Sequence, residues 1–91
     1  MAIAKPLSRK SQRIQEVEQI VRRRFAGARF EVRPVPDVRG VTGVWAYIPV
    51  DPDSVEAEEL RTTLREKELE ILLSDGIHLL AILQEDKEAR R

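Results

Sequence analysis

Ala28-Arg29-Phe30-Glu31-Val32-Arg33-Pro34 and Thr42-Gly43-Val44-Trp45-Ala46-Tyr47-Ile48-Pro49-Val50 decide how this chain folds, because here the hydrophobic period becomes two. In the first stretch Phe30 and Val32 fall on one side and Arg29, Glu31 and Arg33 on the other, the pattern of a half-buried strand. In the second, Val44, Ala46 and Ile48 share a face, which leaves Trp45 and Tyr47 on the opposite one. Pro34 and Pro36 stop the first strand. Val35 to Gly43, with two glycines and a proline, reads as the loop of a hairpin.

On the amino-terminal side the period is helical. Ile14, Val17, Ile20, Val21 and Phe25 recur at spacings of three and four, which predicts a helix from Ser8 to Ala26. Ser8 or Ser11 can cap its start and Gly27 can supply the left-handed turn that ends it. Arg22, Arg23 and Arg24 lie in the last turn, at the negative end of the helix dipole.

On the carboxyl-terminal side, Asp51-Pro52-Asp53-Ser54 breaks the strand, and Asp53 with Glu56 forms a capping-box-like start. A second helix is expected over Ser54 to Ser74, with Ala57, Leu60, Leu64, Ile71 and Leu72 on its apolar face. Glu68 falls in the middle of that stripe. A kink at Arg65 to Lys67 is the favoured explanation, because Leu69 and Leu73 also point away from it; a paired Glu68, or one facing a partner, is the alternative. Gly76 ends the helix. Ile77 to Leu83 is apolar apart from His78, as in a strand covered on both sides.

The order helix, strand, strand, helix, strand predicts an α+β two-layer sandwich, αββαβ, with both helices on one face of a three-stranded mixed sheet. Ala2 to Ala4 offer a short extra edge strand, which would complete a ferredoxin-like βαββαβ order. Ninety-one residues make one domain, 1–91, with 1–7 and 85–91 expected as flexible ends.

Composition narrows the chemistry. There is no cysteine, so disulfides, thiolate metal ligation and a cysteine nucleophile are excluded. The single histidine, His78, cannot build a multi-histidine metal site, and no catalytic constellation emerges; the chain reads as a non-enzyme with no implied cofactor. No apolar run approaches the roughly 18 residues of a membrane span, and Met1 to Arg13 lacks the apolar stretch of a signal peptide, so a cytoplasmic protein is expected. Sixteen basic residues balance sixteen acidic ones, but unevenly. Residues 1–50 carry ten basic and four acidic groups, and residues 51–91 six and twelve. A basic element packed beside an acidic one explains this division; a basic patch awaiting an anionic partner is the sharper alternative.

If the helices cover one side of the sheet, the other carries Trp45, Tyr47, His78, Leu80 and Ile82. An apolar patch of this kind calls for a cover, and a second copy of the chain is the first expectation, with another protein as the other occupant. The alternative is a single-stranded RNA platform in which Trp45 and Tyr47 stack bases and Arg22, Arg23, Arg24, Arg29, Arg33 and Arg39 meet phosphates. Only two aromatics support it, and a sequence pI near 6.6 lacks the basic excess expected of a nucleic-acid binder. A small-molecule pocket lined by Trp45, Tyr47 and His78 ranks lower still. Gly40-Val41-Thr42-Gly43 matches the GxxG string of KH domains, in which the loop joins two helices; between two strands it reads as a hairpin turn. Gly76-Ile77-His78-Leu79-Leu80-Ala81-Ile82, with the element order, resembles BolA-type proteins, which close with an Ile-His-Ala-Leu strand on an αββαβ core. That family carries a further histidine between its first two strands and an Arg-His pair opening the later helix, and this sequence has neither. The glutaredoxin or iron–sulfur partnership that the resemblance implies is therefore not expected.

Overall fold

The structure, a computed structural model, describes residues 8–87. Helix α1 (Arg9–Arg24) leads to strands β1 (Arg29–Pro34) and β2 (Thr42–Ile48), then helix α2 (Val55–Asp75) and strand β3 (Leu79–Glu85). The expected αββαβ arrangement is present. The sheet order is β1-β2-β3, with β1 antiparallel and β3 parallel to the central β2.

This order closes the route to a ferredoxin-like sheet. In that fold an amino-terminal strand lies between the strands corresponding to β2 and β3, whereas here those two are hydrogen-bonded neighbours from Thr42 opposite Leu79 to Ile48 opposite Glu85. Ala2 to Ala4 themselves lie outside the described residues. So do most residues of the two ends expected to be flexible, although Glu85 closes β3 and Asp86 is buried.

The helix boundaries follow from capping chemistry. Ser8 caps α1, its Oγ accepting from the Ser11 amide. The helix stops earlier than expected: Phe25 leaves helical geometry to bury its ring, and Gly27 has no left-handed role. Ser54, rather than Asp53, caps α2 by accepting from the Ala57 amide. Gly76 ends α2 in the left-handed conformation at φ 68°, which glycine adopts without a Cβ penalty.

The core lies between the helices and the β2–β3 half of the sheet. Val17 and Val21 from α1, Leu64 and Ile71 from α2, and Val44, Ala46, Ile48, Leu79 and Ala81 from the sheet are essentially inaccessible. Of the strands, helix α1 packs chiefly on β2 and helix α2 on β3, with little of either on β1. Strand β1 therefore overhangs: Phe30 is half-buried under the Arg22 guanidinium, and Val32 is 46% exposed although it points to the helix side. Leu72, expected on the apolar face of α2, is instead exposed, and Leu69 and Leu73 are more so. No helix among the described residues is long and apolar enough to cross a membrane.

The expected kink does not occur. Helix α2 is continuous from Val55 to Asp75, and Glu68 is paired. Its Oε2 accepts from the Ala81 amide at 2.8 Å and from Arg65 Nη1 at 2.5 Å, while Arg65 Nη1 also donates to the Ala81 carbonyl at 3.1 Å. Ala81 lies on β3, at the sheet edge that α2 flanks. One acidic and one basic side chain thus satisfy both backbone groups that this residue presents outward.

The helices are clasped at their meeting ends by charge. Asp75 accepts from Arg13 Nε at 2.6 Å and from Arg9 Nε at 2.9 Å; Arg13 also donates to Glu16 and Ser74. Lys67 lies 2.8 Å from both Glu16 and Glu70. Arg13 foremost, then Arg9, hold the Asp75 carboxyl below the usual aspartate value, and Lys67 foremost does the same for Glu16. With Arg24–Glu59 and Arg29–Asp86, these pairs join the basic first half of the chain to its acidic second half.

Candidate functional site

The helix-free side of the sheet is set by the registers. Arg29 opposes Tyr47, Glu31 opposes Trp45 and Arg33 opposes Gly43; across the parallel pair, Gly43, Trp45 and Tyr47 face Leu80, Ile82 and Gln84. The expected set Trp45, Tyr47, Leu80 and Ile82 is therefore on one surface. His78 is exposed and precedes β3, which begins two residues later than the sequence suggests. Its carbonyl accepts from the Thr42 amide at 3.1 Å, so its backbone starts the parallel pairing.

Trp45 is not the open aromatic that the alternation alone suggests. It is only 9% exposed. Gly43 has no side chain, and the Trp45 ring fills that space: a Cβ built at Gly43 would stand 2.2 Å from the ring. The Arg33 guanidinium lies over the ring at 4.0 Å, a cation–π contact on a face that a base or a partner would otherwise use. Tyr47 donates its hydroxyl hydrogen to Glu31 at 3.1 Å, with Arg29 at 5.5 Å from its ring centroid. The side chains of β1 thus lie across the aromatics of β2. Leu80 and Ile82, beyond their reach on β3, remain half-buried with no helix of the described residues above them, and β3 is not covered equally on both sides.

The arginines expected to meet an anion are dispersed and mostly engaged. Arg22 lies 4.8 Å from the Phe30 centroid, Arg24 pairs with Glu59, and Arg29 holds Asp86 through Nε and Nη2, both at 3.1 Å. Arg23 and Arg39 are exposed on different elements, the first at the end of α1 and the second in the hairpin loop. In that loop Asp37 and Gly40 take positive φ, and the Val35 amide donates to the Val41 carbonyl, which closes an ordinary hairpin turn. Gly43 of the GxxG string sits inside β2 beneath Trp45.

Depressions lie against the helices: one of about 500 Å³ lined by Gln12, Glu16, Gln19, Ile20 and Lys67, and a shallow apolar one formed by Leu69 and Leu73 between Glu66 and Glu70. Sequence reading noticed Leu69 and Leu73 only as outliers from the α2 stripe; their spacing of four was the signal for a second face. Comparison with protein-family models, with curated proteins and with solved structures found no match.

Proposed function

We propose that this chain is a non-catalytic interaction module that self-associates through its sheet. The observation that carries the reading is that, among the described residues, the sheet is layered on one side only: Leu80 and Ile82 stand half-buried on the other, and β1 overhangs the helices with Val32 46% exposed. Apolar surface left beside unpaired strand backbone is stabilised by a second polypeptide, and a second copy always supplies one. Light scattering after size exclusion, over a range of loading concentrations, tests this. A mass rising toward twice 10.5 kDa is expected; a chain that stays at monomer mass at millimolar concentration refutes self-association.

The RNA-binding reading has less behind it. A base stacking on Trp45 has to displace Arg33, and Arg22, Arg24 and Arg29 already contact groups of the same chain. Titration of Trp45 fluorescence with mixed single-stranded oligonucleotides at low salt is expected to show no quenching that salt reverses.

A further inference from the structure

The two outer strands of this sheet are treated differently. On β3 the Arg65–Glu68 pair of α2 occupies the outward carbonyl and amide of Ala81, a device that blocks pairing at that edge. On β1 no described element pairs with the outer edge. Its outward groups can be identified. Val35 donates to Val41, which makes that a hydrogen-bonded pair, and the alternation of antiparallel ladders then turns Arg33, Glu31 and Arg29 inward to β2. The amides and carbonyls of Phe30 and Val32, and the carbonyl of Pro34, therefore face outward.

We propose that two copies of the chain join antiparallel along β1, with the two-fold axis at Val32. This rests on the reading of the chain as self-associating, and it names the edge rather than the open face as the contact. In this register the two Val32 residues exchange two backbone hydrogen bonds, and each Phe30 amide donates to the Pro34 carbonyl of the second copy. Pro34, which has no N–H, is asked only to accept. On the helix side the exposed Val32 side chains meet each other and each Phe30 meets a Pro34. On the open side Glu31 stands opposite Arg33 of the second copy, twice, at the positions where antiparallel side chains come closest.

Charge selects this register over its neighbours. Moving the axis by one residue places Glu31 opposite Glu31 in one direction and Arg33 opposite Arg33 in the other, both unfavourable. An axis at Phe30 pairs Glu31 with Arg29, which Asp86 holds through two nitrogens at 3.1 Å; the selected register asks only that the looser 3.6 Å Glu31–Arg33 contact within each copy be exchanged for its equivalent between copies. The selected pairing makes a continuous six-stranded sheet with helices on one side.

Three variants test the proposal by light scattering, with far-UV circular dichroism reporting the monomer fold. Val32→Pro removes an amide that makes no bond within the monomer, and it is expected to give a folded chain near 10.5 kDa. Glu31→Arg and Arg33→Glu each place like charges opposite one another and are expected to weaken dimerisation by about tenfold or more. Mixed in equal amounts, those two chains restore unlike charges at both positions and are expected to recover the dimer mass. A dimer that tolerates Val32→Pro and both charge variants overturns the proposal. If Ile82→Lys dissociates that dimer, the contact lies on the open face, and self-association stands without the edge. A wild-type chain that is monomeric at millimolar concentration overturns both.

Discussion

Trp45 and Gly43 form a single unit, two residues apart on the same face of β2. The indole lies where a Gly43 side chain would be, and Arg33 closes the ring from above. Gly43→Ala forces the ring off the strand, because 2.2 Å is far inside any carbon–carbon contact. Overpacking of this kind costs about 1 to 3 kcal/mol. Urea unfolding of the alanine variant should show that loss together with a changed Trp45 emission, since the indole moves toward water; an unchanged midpoint would refute the arrangement. The alternation of β2 placed Trp45 on the correct face, but its burial was not legible there. It depends on a glycine two residues before it and on an arginine of another strand, which periodicity does not record.

Among the elements, α2 shows most clearly what a helical wheel can and cannot reveal. Ala57, Leu60, Leu64 and Ile71 were readable as its buried stripe, and Glu68 was visibly out of place on it. The kink favoured on that ground is absent because the position beneath Glu68 is a strand edge, where an outward amide needs an acceptor. A wheel shows that a polar residue faces the sheet and is silent about where the sheet ends. Glu68→Ala leaves the Ala81 amide without that acceptor, and losing a hydrogen bond to a charged group costs about 1 to 3 kcal/mol. The variant should unfold at lower urea, with faster amide exchange at Ala81; an unchanged exchange rate would show that the clamp contributes nothing.

Across the whole molecule, the Arg13–Asp75 contact joins positions 62 residues apart and fixes the start of α1 to the end of α2. Asp75 is held below the usual carboxylate value by Arg13 and Arg9, so its contribution is complete above the unfolded aspartate value near pH 4 and is lost as pH falls through the lower folded value. The wild-type chain should therefore lose stability on acidification from pH 5 to pH 2. Asp75→Asn should be less stable at pH 7 and show a shallower acid decline; parallel declines in the two chains would rule out Asp75 as the group responsible. The uneven charge along the sequence foretold contact between its halves. It did not foretell which residues meet, because only the packing of α1 on α2 brings Arg13 to Asp75. The fold class was legible from the change of period at Ala28 and its reversal after Asp51. The strand order was not, since no local pattern says whether β3 joins β2 directly or leaves room for another strand.

Direct pairing of β2 with β3 also bears on how the chain matures as it leaves the ribosome. The β1–β2 hairpin ends at Ile48, yet the strand that completes the other side of β2 begins only at Leu79. Until then Ala46 and Ile48 belong to a two-stranded ribbon, which is barely stable alone. Productive folding waits for the carboxyl-terminal strand, because closing the long parallel crossover precedes the contacts that reward it. A fragment ending within α2 would leave that apolar hairpin open to chaperones, and only the arrival of Leu79 to Glu85 would withdraw it.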